Sequence, residues 1–124
     1  MYPPFTVDRF LDVRSDSRHS KAVHAATVLD WIERSCGFER VAPDRLEYRH
    51  AGLLVNLLAT HADERGNYPG CTPGPHGMAN LIELRCEDAD ESFRPEYEAI
   101  AVKIARHLGW EVVDGREGTV IQPA

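Results

Sequence analysis

The sequence predicts an α+β fold: one small domain over residues 1–124, with two main helices packed on one face of a mainly antiparallel sheet. Three observations lead there. Segments 18–36 and 95–108 carry apolar residues at helical spacing, several shorter runs alternate or are continuously apolar as strands are, and the C-terminus folds back across a glycine-rich turn. The expected element order is α-α-β-β-β-α-β-β, ending in a C-terminal β-hairpin.

Taken in order, Thr6-Val7-Asp8-Arg9-Phe10-Leu11 offers a cap residue and apolar positions at i, i+3 and i+4, which predicts a short opening helix. After the polar break Arg14-Ser15-Asp16-Ser17, Ala22, Ala25, Ala26, Leu29, Ile32 and Cys36 share one helical face. Gly37 then supplies the left-handed residue beyond the helix end, and Phe38 the apolar residue that follows such an end. Residues 44–61 support two readings. Asp44-Arg45-Leu46-Glu47 has the form of a capping box opening a helix, yet Gly52 interrupts the run and Leu53 to Ala59 suits a buried central strand. The expectation is strands at 45–49 and 53–61. Ile82, Leu84 and Cys86 oppose Glu83 and Arg85, so residues 80–86 form a further strand.

The second main helix starts with Pro95 in its first turn beside Glu96 and Glu98, and buries Tyr97, Ile100, Ala101, Ile104, Ala105 and Leu108. Its end, Leu108-Gly109-Trp110-Glu111, echoes Cys36-Gly37-Phe38-Glu39. Both a pseudo-repeat of helix-to-strand units and independent use of a common glycine cap fit that echo. Asp114-Gly115-Arg116-Glu117-Gly118 turns the chain, and Thr119 to Gln122 returns as the partner strand. Trp31 and Trp110 are expected to anchor the core, with Tyr48 and Phe93 beside them.

A chain of 124 residues can bury about two-thirds of its unfolded surface, enough for its own core. No apolar run approaches the roughly 20 residues of a spanning helix, and the N-terminus lacks a secretory pattern, so no membrane association is expected and the cytoplasm is the expected location. Cys36, Cys71 and Cys86 show no paired spacing, which fits a reducing compartment. The net charge of −6 opposes nucleic acid as a partner. It is also local, because residues 83–98 hold seven acids against Arg85 and Arg94 and so carry −5 of it.

The chemistry-bearing candidate is a loop. Seven of the twelve residues from Gly66 to Gly77 are Gly or Pro, a composition that neither helix nor strand tolerates, and a long ordered loop of this kind is where compact domains keep recognition or chemistry. His61, Cys71 and His76, with Asp63 nearby, are the candidate zinc ligands, since thiolate and neutral imidazole are zinc donors. The same Cys71, with His76 or His61 as base, is the candidate nucleophile of a hydrolase. Neither Cys-x2-Cys nor His-x3-His spacing supports the metal, and no phosphate loop, dinucleotide fingerprint or serine elbow is present. The leading expectation is therefore non-enzymatic: a small protein-binding or inhibitory module. It would use the 61–77 loop (Asp63, Tyr68) and the acidic 83–98 segment (Glu87, Asp88, Asp90, Glu91) on a protein partner with a basic surface. In size, acidity and lack of a catalytic set the chain resembles immunity and inhibitor proteins as a class. The metal- or cysteine-dependent hydrolase is the alternative.

Overall fold

The computed structural model describes residues 7–63 and 77–124. Val7–Arg14 forms strand β1, not the opening helix expected from residues 6–11. Val7, Phe10 and Leu11 fit a helical stripe only while the window stays short; carried on to Val13, the pattern becomes alternation, and Leu11 and Val13 are both buried. The next helix also starts later than its apolar stripe suggested. Asp16 Oδ1 accepts hydrogen bonds from the backbone N–H of Arg18 (2.9 Å) and Ser20 (3.1 Å), its other oxygen accepts from the Ser20 hydroxyl, and Ser15 Oγ accepts from the Lys21 N–H. Side chains that capture the backbone in this way divert it from the helical ladder, so residues 15–22 form a connection. A two-residue strand β2 (Val23–His24) precedes helix α1 (Ala25–Cys36).

Strands β3 (Glu39–Ala42), β4 (Arg45–His50) and β5 (Leu53–Thr60) form an antiparallel meander, so the 44–61 region is strand and not helix. Ala51 and Gly52 both have positive φ, 48° and 91°, between paired His50 and Leu53. Two left-handed residues give a turn whose twist matches that of its strands, and Gly52 adopts that conformation without strain. Leu53, Val55, Leu57 and Ala59 then alternate into the core. After β6 (Met78–Ala79, paired with β2) come β7 (Leu81–Ala89), a 3-10 turn (Glu91–Phe93), α2 (Arg94–Leu108) and the hairpin β8 (Glu111–Asp114) and β9 (Val120–Gln122).

The observed order is β-β-α-β-β-β-β-β-α-β-β. Seven strands form one antiparallel sheet in the order β3-β4-β5-β7-β1-β8-β9. β1 and β5 both run against β7, while β7 and β8 both run against β1. Helix α2 thus links two parallel strands, β7 and β8, with antiparallel β1 between them, a split β-α-β unit, whereas α1 carries the chain from β1 and β2 across the sheet to the edge strand β3. Both helices end on a left-handed glycine, Gly37 (φ 75°) or Gly109 (φ 71°), followed by a buried aromatic, Phe38 or Trp110. Trp31 is only half-buried and stacks on His107, with ring centroids 3.7 Å apart.

Val28, Leu29 and Ile32 of α1 and Tyr97, Ala101 and Ile104 of α2 join one core cluster with Leu11, Val13, Leu57, Ile82, Leu84 and Val112. By alternation, Asp12, Glu83 and Leu58 lie on the opposite face of the sheet, in register with one another. The outermost pairings, β3 with β4 and β8 with β9, both contain a register shift. The two large apolar residues exposed among those described, Val41 and Val120, stand on these edge strands. Irregular edges of this kind oppose pairing with further strands. No helix among the described residues is long and apolar enough to cross a membrane.

Candidate functional site

The end of the molecule where β7 runs into α2 collects most of the acidic segment. Asp90 caps the 3-10 turn by accepting from the Ser92 N–H at 2.6 Å, and that bond holds its carboxyl below the ordinary range. Glu91 and Glu98 both take Arg94, at 2.8 and 2.9 Å, and Arg9 reaches Glu91 at 3.8 Å. One oxygen of Glu96 accepts from the Tyr48 hydroxyl at 2.8 Å and lies 3.1 Å from His50 Nδ1. Burial, and then this carboxylate, raise the Tyr48 phenol. Asn56 Nδ2 donates to Glu87 at 2.9 Å, with Arg85 at 3.9 Å. Asp8 joins from β1: it accepts the Asp88 backbone N–H and the Arg85 guanidinium, and these lower its pKa in that order. Asp88 itself sits at φ 45°. Between the start of α2 and the C-terminal hairpin lies a cleft of about 230 Å³ lined by Arg9, Glu91, Arg94, Tyr97, Glu98 and Asp114, among others.

The carboxylates are therefore held without being neutralised. Hydrogen bonds from Ser92, Tyr48 and Asn56 fix their positions and leave their charge, while Arg85 is drawn to Asp8 and Arg94 is shared between two acids. Such an arrangement keeps a local negative potential on a rigid frame.

The foot of the 61–77 loop is built differently. Thr60 is in register with Leu81, so the loop ends are adjacent, as expected of paired flanking strands. Buried Asn80 joins them. Its Oδ1 accepts the Ala62 N–H at 2.7 Å, its Nδ2 donates to Ala62 O at 2.8 Å and to His19 O at 3.2 Å, and its own N–H bonds Thr60 O. Beside it Arg14 Nε donates to Glu111 at 2.8 Å. His61 is half-buried and Asp63 exposed at this foot. Tyr68, Cys71 and His76 lie outside the described residues, and among those described no group of three His, Cys, Asp or Glu side chains is placed to hold a metal ion.

The foot of the 61–77 loop and the acids that follow β7, from Asp90 onward, stand at the two ends of that strand. From Leu81 to Ala89 a strand spans about 26 Å at roughly 3.3 Å per residue. Glu87 to Glu91 thus stand far from Asn80 and Ala62.

Sequence reasoning missed Asp12 and Glu83, which face each other across β1 and β7 in the middle of the sheet. Burial first, and Glu83 next, push the Asp12 carboxyl up to about 6. The signal was there, an acid between two buried apolar residues in each strand (Leu11-Asp12-Val13 and Ile82-Glu83-Leu84), but reading residues 6–11 as helix hid it. No protein-family model, curated protein or solved structure matches the chain.

Proposed function

We propose that this α+β protein is a small protein-binding module whose acidic end docks on a basic protein surface. The observation that carries the reading is the set of exposed or half-exposed acids from Glu87 to Glu98, fixed by neutral donors and shared cations and still carrying net negative charge. Prepositioned charge speeds encounter and selects complementary partners, by about 10- to 1,000-fold in rate at low salt. An inhibitory role follows from the same contact, by occlusion of a basic working surface. Asp63, at the other end of β7, stands apart from this contact.

The test is a variant that loses charge and keeps shape. Asp88→Asn, Asp90→Asn and Glu91→Gln together remove three charges; asparagine tolerates the left-handed backbone at 88 and caps as aspartate does at 90. Immobilised wild type should capture a basic protein from a cell extract, with an association rate that falls steeply with salt and falls at least tenfold in the triple variant. Capture that is indifferent to both salt and the variant sinks the proposal.

A further inference from the structure

His19 belongs to the connection between β1 and β2 and combines three features that each need an explanation. Its side chain is buried, with the residue 7% exposed, and its Nδ1 has no hydrogen-bond partner among the described residues. Its backbone sits at φ 55°, a left-handed conformation that non-glycine residues seldom adopt. And its carbonyl oxygen is one of the groups held by the Asn80 side chain, which also grips both backbone groups of Ala62. A buried imidazole with one nitrogen left over is thus carried on a left-handed backbone that is clamped where the 15–22 connection meets the foot of the 61–77 loop.

We propose that His19 is a proton-operated latch for this junction: neutral, its ring stays buried and the 15–22 connection docks on Asn80; protonated, the ring withdraws and the dock opens. The reason is solvation. Protonation puts a charge on a ring whose Nδ1 meets no acceptor among the described residues, and a buried charge left short of partners costs more than the contacts holding the ring. The charged surroundings set the direction of travel. Arg14 on β1 repels the cation, whereas Asp16 on the same connection, Asp63 beyond β5 and Glu111 on β8 attract it. The released ring thus moves away from Arg14 and toward the acids of the connection and the loop foot, Asp16 and Asp63. Burial, the largest influence, followed by Arg14, keeps the His19 imidazole below its ordinary range. Leaving the dock also lets the backbone at residue 19 relax from its left-handed conformation, which lowers the energy needed to open.

Amide exchange followed by NMR from pH 7.5 to pH 5 reads the latch, with intrinsic rates removed. The Ala62 N–H and the Asn80 side-chain amide report the dock, and the ladder amides of β5 and β7 report the sheet. If the released ring titrates near the usual imidazole value of about 6.5, the opening constant at the dock rises up to roughly 30-fold over this range. The ladder amides should keep their protection. His19→Asn, which suits the left-handed backbone and cannot charge, should leave the dock closed at both pH values. The wild-type ring resonance of His19 gives a reading that needs no variant, and it should titrate together with dock opening. An unchanged dock at pH 5, loss of protection by dock and ladder together, or a His19 ring that titrates without opening the dock would each overturn the latch.

Discussion

The two ends of β7 solve opposite problems with the same kinds of residue. At the acidic end, carboxylates are kept near solvent and pinned by donors such as Ser92, Tyr48 and Asn56, so fixing them costs little desolvation. At the loop foot, an amide and an imidazole are buried, and one side chain, Asn80, meets the backbone needs of two separate segments. The contrast teaches that hydrogen bonds of similar length do different work according to burial. Exposed ones orient charge, whereas buried ones decide whether the fold closes, because a buried group deprived of its partner carries the whole desolvation cost.

The sharpest way to break this contrast is at Asn80. Asn80→Ala should strand the Ala62 N–H, Ala62 O and His19 O in the interior and cost about 3 kcal/mol or more, read from the urea midpoint. A loss below about 1 kcal/mol would mean that the loop foot is no more dependent on its bonds than the acidic end.

Asp12 gives the next effect, and it has the opposite sign. Its carboxyl, raised to about 6 in the folded protein from 3.8, binds a proton more readily when folded. The stability it contributes is therefore greatest below pH 4 and is lost as pH rises through 6. Asp12→Asn should stabilise the protein by about 1–2 kcal/mol at pH 7.5 and by almost nothing at pH 4, a profile that urea titrations at the two pH values would show. His19, with its lowered value, works in the other sense: its neutral form suits the fold, and stability is lost as pH falls below about 6.5. A double variant with His19→Asn should flatten the acid side of the stability curve.

The smallest effect belongs to the acidic end. Asp90→Ala should lower the midpoint of thermal denaturation slightly through the lost cap, and Asp90→Asn should lower it less. If Asp90→Asn proved as damaging as the alanine, charge and not the hydrogen bond would be holding the turn.

Much of this architecture is legible in the chain because it is local. The apolar stripes of α1 and α2, the glycine caps at 37 and 109, the alternation of Ile82, Leu84 and Cys86 and the turn at 114–118 depend on neighbours within a few residues. The unreadable parts are the distant ones. Asn80 carries no mark of its bond to His19, 61 residues away, and an asparagine between Ala79 and Leu81 looks like a strand boundary. The interior strand β1 was lost because six residues satisfy two periodicities at once. The foot of the 61–77 loop at Ala62 and the acids Asp88, Asp90 and Glu91 are near neighbours in the chain, and the length of β7 separates them in space, a distance that no local pattern announces.

The position of β1 also sets an order of events during synthesis. It emerges first, yet both of its neighbours come late, β7 beginning at residue 81 and β8 at residue 111. At roughly 5–20 residues per second, β1 waits about 5–20 seconds for its second edge to be covered, while α1 and the β3–β5 meander can already form. The nascent chain thus holds an interior strand in reserve, and folding finishes through contacts of long sequence separation, the kind that makes a small protein slow to fold.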